Sequence, residues 1–166
     1  MNYIRLRKNN LYVDNISTLK LVKKYETPFY CYSLSQLKNN YYRFNNAFKE
    51  IEPIICFSVK SNANLNLLRE LKKMGAGADV VSIGELFKAI KAGINPNKIV
   101  FSGIGKTEKE IKAAIKKNIL LINIDFVKTR SKPNFSAFAA NCLLKVLKTP
   151  NIGKFDVILS FLAAFR

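Results

Sequence analysis

From about Pro28 the chain alternates short runs of β-branched or apolar residues with longer stretches in which apolar residues recur every three or four positions. The short runs predict strands at Phe29–Tyr32, Ile54–Val59, Asp79–Ser82, Ile99–Ser102 and Leu120–Asn123. The longer stretches predict helices at Ser35–Ile51, Asn64–Met74, Glu85–Ala92 and Glu108–Lys117. Punctuation between them agrees. Ser33 with Gln36, Ser82 with Glu85 and Thr107 with Glu110 have capping-box spacing, in which a hydroxyl and a longer polar side chain satisfy the orphan amides of a helix start. Gly75, Gly93 and Asn118 fall where a left-handed residue ends a helix.

The predicted strand ends Val59, Val81, Phe101 and Asn123 are spaced by 22, 20 and 22 residues. That is the length of one strand, one return helix and two short loops. Such a repeat demands a parallel sheet, because each helix carries the chain back to start the next strand in the same direction. A doubly wound sheet and a (β/α)8 barrel both satisfy it. The segment after the first long strand, Val59-Lys60-Ser61-Asn62, lacks the G-x-G-x-x-G of dinucleotide folds. A full barrel needs roughly 250 residues, so the 166 residues present predict α/β architecture with about the first four βα units of a barrel.

After Asp125 the pattern changes. Residues 126–166 contain no Glu and a single acidic residue, Asp156. They offer a loop-like Thr129–Asn134, an amphipathic stretch Ser136–Leu147 and an apolar end, Phe155–Phe165, with no clear fifth βα unit. The expected organisation is a lead-in segment at 1–27, a partial barrel at 28–125 and a separate tail at 126–166.

Hydrophobic content of 49% and charged content of 23% are globular values. The formal charge of +17 raises the possibility of a nucleic-acid-binding module. However, most basic residues are Lys rather than Arg, and they occupy solvent positions of the helical patterns, as at Lys72, Lys73, Lys88, Lys91, Lys112, Lys116 and Lys117. A solvated face explains them better, and no nucleic-acid partner is expected. Cys31, Cys56 and Cys142 have no C-x-x-C spacing and are odd in number, so they read as buried small hydrophobes in a reducing compartment, not as metal ligands or a disulfide framework. With no histidine in the chain, neither a zinc site nor histidine acid–base chemistry is expected. The first ten residues lack a signal-peptide core, and Val157–Phe165 is too short to span a bilayer. The expected setting is therefore cytoplasmic, with no membrane partner.

Functional groups of a βα repeat gather at the carboxyl ends of its strands. Those positions here hold Lys60, Asp79 with Ser82, and Ser102 with Gly103. A lysine partly buried at such a rim loses solvation of its ammonium form, which lowers its pKa and frees the amine to attack a carbonyl. Gly103-Ile104-Gly105-Lys106-Thr107 lacks the spacing of a P-loop and is read as a strand-to-helix turn with no nucleotide.

Several segments together resemble one family. They are Tyr30-Cys31-Tyr32-Ser33, Cys56-Phe57-Ser58-Val59-Lys60-Ser61-Asn62, Gly75-Ala76-Gly77-Ala78-Asp79-Val80-Val81-Ser82-Ile83-Gly84-Glu85-Leu86 and Ile99–Thr107, with Asn10–Val13 ahead of them. Over about residues 9–125 the chain resembles the pyridoxal-phosphate-dependent decarboxylases built on an alanine-racemase-like barrel, above all the members that act on diaminopimelate. Other members act on ornithine, arginine or carboxynorspermidine. The resemblance implies pyridoxal 5'-phosphate as cofactor and a small amino acid as substrate. It implies Lys60 as the Schiff-base lysine and Asp79 as the carboxylate beside it, where a negative charge favours the protonated imine. Glu85 matches an acidic position near the active site and is equally the capping partner of Ser82; Ser58 shares a face with Lys60 and would line the cofactor pocket. The resemblance implies that complete members are homodimers and carry further parts downstream, among them a ring-stacking histidine, a glycine-rich phosphate turn and a C-terminal β-domain; this chain has no histidine, and none of the other parts is legible after Asp125. The expectation is a front portion, inactive as it stands, whose tail is the product of a frameshift or truncated frame.

Overall fold

The computed structural model describes residues 3–123 and 158–161. It divides into two compact units, Met1–Ala47 and Phe48–Arg166.

The first unit opens with three antiparallel strands, β1 (Ile4–Arg7), β2 (Asn10–Val13) and β3 (Ile16–Ser17). The turn between β1 and β2 contains two residues, Lys8 and Asn9, both at positive φ (46° and 60°). This is the turn whose twist matches that of the strands it joins. Two helices follow, α1 (Thr18–Lys24) and α2 (Leu34–Ala47). The expected capping hydroxyl is in place: Ser33 Oγ accepts from the Gln36 amide at 2.9 Å and donates to Asp14 Oδ1 at 2.6 Å.

One sequence expectation fails in this unit. Phe29–Tyr32 is not a strand. Its aromatic, β-branched-like composition suits a pleated surface, but no strand among the described residues pairs with it. Phe29, Tyr30 and Tyr32 are exposed, and the Tyr30 and Tyr32 rings stack on each other at 6.4 Å; Cys31 between them is exposed as well, against the burial expected of it, because no sheet covers the segment, whereas Cys56 is buried as expected. Strand preference reflects packing against neighbouring strands, so composition without a ladder does not make one.

The second unit carries the repeat. Its strands are β4 (Ile54–Ser58), β5 (Gly77–Val80), β6 (Ile99–Phe101) and β7 (Leu121–Ile122), all parallel and adjacent in chain order. A further strand, β8 (Ile158–Phe161), lies parallel to β4 on its other side. It falls within the predicted apolar end, whereas the predicted Thr129–Asn134 loop and Ser136–Leu147 helix lie outside the described residues. The return helices are α3 (Leu65–Lys73), α4 (Ile83–Lys91) and α5 (Glu108–Lys116). Each buries a pair of residues three apart: Leu68 and Leu71, Leu86 and Ala89, Ile111 and Ala114. Residues with that separation share one helix face, so each helix presents one narrow apolar stripe. Gly75, Gly93 and Asn118 all adopt positive φ (91°, 87° and 51°), as their places after the helices predict.

Strand register separates the two faces of the sheet. On one face Phe57, Ala78 and Ile99 form a row, and Val80, Phe101 and Ile122 form the next; all six are buried. On the other face the row is Ser58, Asp79, Val100 and Leu121, preceded by Cys56 beside Gly77. Polar and titratable groups are thus confined to one side. This is the arrangement of consecutive strands in a (β/α)8 barrel, whose return helices cover the outside and whose interior keeps the functional groups.

Candidate active site

Ser58 ends β4 and lies directly opposite Asp79 in the β4–β5 ladder. The Ser58 side chain is 1% exposed, and its hydroxyl has no hydrogen-bond partner among the described residues. A buried hydroxyl left so costs about 1–3 kcal/mol, a cost that any group supplying the bond would remove. Beneath this pair, Cys56 is fully buried. Its thiol points to the Lys98 carbonyl at 3.6 Å, and burial together with the Asp79 charge pushes its pKa up to about 12. Cys56 is therefore a packing group and no nucleophile. Gly77 makes this layer possible, because a Cβ there would stand 2.1 Å from the Lys98 oxygen and 2.9 Å from Cys56 Sγ.

Lys60 follows at once, but on a 3-10 turn (Val59–Ser61) rather than at a strand end. The strand stops one residue earlier than its composition predicts, and the turn carries Lys60 to an exposed position. The partial burial expected of it is not found; Val59 takes the buried place instead. The turn is fixed by the Ser61 hydroxyl, which donates to the Ser58 carbonyl at 2.7 Å.

Glu85 is engaged in capping. Its amide donates to Ser82 Oγ at 3.3 Å, and its carboxylate accepts from the Val81 amide at 2.9 Å. The residue thus holds the segment that leaves β5 just after Asp79. The Gly103–Thr107 turn is likewise closed upon itself. The Lys106 ammonium donates to the carbonyls of Gly103 and Asn123 and lies 5.7 Å from the centre of the Phe101 ring. Gly103, at φ +91°, seats this turn against Val81, to which an added Cβ would approach within 3.2 Å.

Sequence reasoning missed Glu110 as more than a local cap. One of its oxygens accepts from the Thr107 amide (3.0 Å) and hydroxyl (2.9 Å), and the other from the Ile83 amide at 3.3 Å. The Thr107–Glu110 spacing signals the first function; nothing in the sequence signals a contact across 27 positions.

An amine, a carboxylate and an unpartnered buried hydroxyl at one end of a parallel sheet suit a carbonyl-bearing cofactor held through an amine. Among the described residues no group of three or more His, Cys, Asp or Glu could hold a metal ion, and no helix is long and apolar enough to cross a membrane.

Comparison with known proteins agrees. A 47% identical stretch of 106 residues, 64% of this chain, matches a diaminopimelate decarboxylase of Helicobacter pylori strain J99. The crystal structure of diaminopimelate decarboxylase from Helicobacter pylori complexed with L-lysine superimposes on 66% of the chain with a TM-score of 0.64 at 43% identity, using 28% of that chain. The M. jannaschii diaminopimelate decarboxylase in complex with L-lysine covers 97% of this chain with a TM-score of 0.73 at 26% identity, using 47% of its own length. Similar curated relatives are matched over 26% to 31% of their lengths, so this chain spans between about a quarter and a third of them. The sequence model of the family described as "Pyridoxal-dependent decarboxylase, pyridoxal binding domain" matches residues 34–156, beyond the Asp125 limit of the resemblance read from the sequence. On that match, and with a barrel-type sheet carrying Lys60, Ser58 and Asp79 at its carboxyl end, the chain belongs to the pyridoxal-dependent decarboxylase family.

Proposed function

We propose that this chain is the cofactor-capturing front of a decarboxylase that converts meso-diaminopimelate to L-lysine and carbon dioxide. The observation that carries this reading is the pairing of a buried, unpartnered Ser58 hydroxyl with Asp79 in register, two residues before Lys60. When bound, pyridoxal phosphate supplies a sink for the electron pair released as carbon dioxide departs.

The chain's own residues have separate tasks. Lys60 Nζ would hold the cofactor by condensing with its aldehyde and releasing water, and its exposed position leaves it open to approach. Asp79 places a negative charge on the face where the attached nitrogen would carry a proton, and so keeps that proton in place. The Ser58 hydroxyl donates a hydrogen bond into the pocket. Glu85 acts through the backbone by fixing Val81, two residues beyond Asp79. The choice of substrate is supported by the matched relatives, which carry the name diaminopimelate decarboxylase, and by neighbours solved with L-lysine. A homodimeric assembly is proposed on the family resemblance alone.

A chimera tests the function. The matched 106 residues of this chain would replace their counterpart in the Helicobacter pylori enzyme, and release of carbon dioxide from meso-diaminopimelate would be followed. The chimera should be active and its Lys60→Ala form inactive. A folded chimera that acts on ornithine or arginine but not meso-diaminopimelate would refute the substrate, and activity surviving Lys60→Ala would refute the site.

A further inference from the structure

We propose that Glu110 is a positioning residue that ties two successive βα units together at the candidate site's edge and so holds the segment following Asp79. The segment from Val81 to Glu85 comprises the link from β5 and the first turn of α4, and three of its amides end on side-chain oxygens. Val81 N donates to Glu85, Glu85 N to Ser82, and Ile83 N to Glu110. The first two acceptors belong to the segment itself. Glu110 belongs to α5, in the next unit.

The division of labour within the carboxylate is what makes the link. Oε2 accepts both donors of Thr107, while Oε1 accepts from Ile83. One charge therefore sits at two helix starts, where exposed amides and the helix dipole both favour an anion. Hydrogen bonds from Thr107 hold the Glu110 carboxyl below the ordinary glutamate range, with a smaller contribution from the Ile83 amide. A second contact joins the same two loops, since Gly103, in the turn that leads to α5, is seated against Val81. Two independent contacts between consecutive loops set the β5 exit as part of a continuous rim.

A residue that caps only its own helix would give a different result in amide exchange, and this separates the two roles. In the full chain, Glu110→Ala should speed exchange of the Ile83 amide by about tenfold, the effect expected for loss of one hydrogen bond to a charged group. Thr107→Ala should loosen the start of α5 and leave Ile83 protected. Unchanged exchange at Ile83 in Glu110→Ala, or acceleration spread evenly over the chain, would overturn the proposal. Glu110→Gln guards against a failure to fold, because it preserves volume and one acceptor. That oxygen should stay with the two nearer Thr107 donors, so Ile83 exchange should still rise, and no rise would overturn the link. A second readout rests on the proposed function: the pyridoxal phosphate concentration that half-saturates Lys60 should rise several-fold in Glu110→Ala and little in Thr107→Ala. If the unaltered chain shows no selective attachment at Lys60, the functional reading fails while the exchange result still decides the link; equal half-saturation in all three proteins would confine Glu110 to a scaffold contact.

Discussion

Replacing Gly77 by alanine tests whether the polar face of the sheet is built as described. The added Cβ would lie 2.1 Å from the Lys98 carbonyl oxygen, 2.9 Å from Cys56 Sγ and 3.0 Å from Lys98 Cβ. Ordinary contact requires about 3.4 Å or more between such atoms, so the shortfall against a backbone oxygen exceeds 1 Å. Relief must come from moving the Pro96–Lys98 turn that leads into β6, or from shifting β5 between its two neighbours. Moving the turn also takes the Lys98 oxygen away from the Cys56 thiol. Overpacking of this kind costs about 1–3 kcal/mol and sometimes more, against a gain of about 0.4–1 kcal/mol from a stiffer unfolded chain. A backbone clash belongs at the upper end, so the net loss should be about 2 kcal/mol. For a chain of this size that lowers Tm by roughly 4–8 °C. Gly84→Ala provides the matched control, because its Cβ would meet only Ser82 Oγ at 3.9 Å within the first turn of α4. It should stabilise by about 0.5–1 kcal/mol. Thermal and urea unfolding followed by circular dichroism would measure both. If Gly77→Ala matched or exceeded the unaltered chain in stability, the proposed β4–β5–β6 packing would be wrong.

Ser58→Ala should act in opposite directions on folding and on cofactor capture. Removing a buried hydroxyl that lacks a partner should stabilise the cofactor-free chain by about 1 kcal/mol and weaken retention of pyridoxal phosphate; a loss of stability in urea unfolding would show that the hydroxyl is already satisfied. Cys56 should resist a maleimide in the folded chain while the exposed Cys31 reacts, and peptide mapping that finds equal labelling of the two would contradict the burial of Cys56. Thr107→Ala should cost about 1 kcal/mol through loss of the α5 cap, measured by urea unfolding. Acid should weaken the same cap. Because the Glu110 carboxyl is held below its ordinary range in the folded chain, its contribution is complete above the unfolded value of about 4.3 and is lost as pH falls through the lower folded value. The stability difference between the unaltered chain and Glu110→Gln should therefore be constant near neutrality and shrink below about pH 4; a difference that grew on acidification would reverse the assigned shift.

The repeat was legible in the sequence because each of its signals is local. Helix periodicity, the Ser82–Glu85 and Thr107–Glu110 spacings and the left-handed Gly75, Gly93 and Asn118 after the return helices all act within one turn, and each appears at a helix end. Strand ends were less secure. Val59 and Ser82 have strand-like or extended character, but the ladder ends at Ser58 and Val80. Phe29–Tyr32 failed because its composition speaks of a sheet and only a neighbouring strand could supply one. Lys60, Asp79 and Ser58 are singled out by the family resemblance and by their expected places near strand ends. Their relative placement was not legible, since the level of Ser58 with Asp79 depends on a register set by packing across two strands. Glu85 looked equally like a site residue and a cap, and the structure shows it engaged as a cap. The Glu110–Ile83 contact depends on how two loops approach in space, which no short spacing encodes.

Selective attachment of pyridoxal phosphate to Lys60 is the property on which the site assignment stands. The chain would be mixed with the cofactor, reduced with borohydride, digested and mapped by mass spectrometry for the pyridoxyl group. At low cofactor concentration the group should fall predominantly on Lys60, and Lys60→Ala should abolish this selective fraction without redirecting it to one other site. Labelling spread evenly over the surface lysines, or a selective adduct that persists in Lys60→Ala, would contradict the assignment.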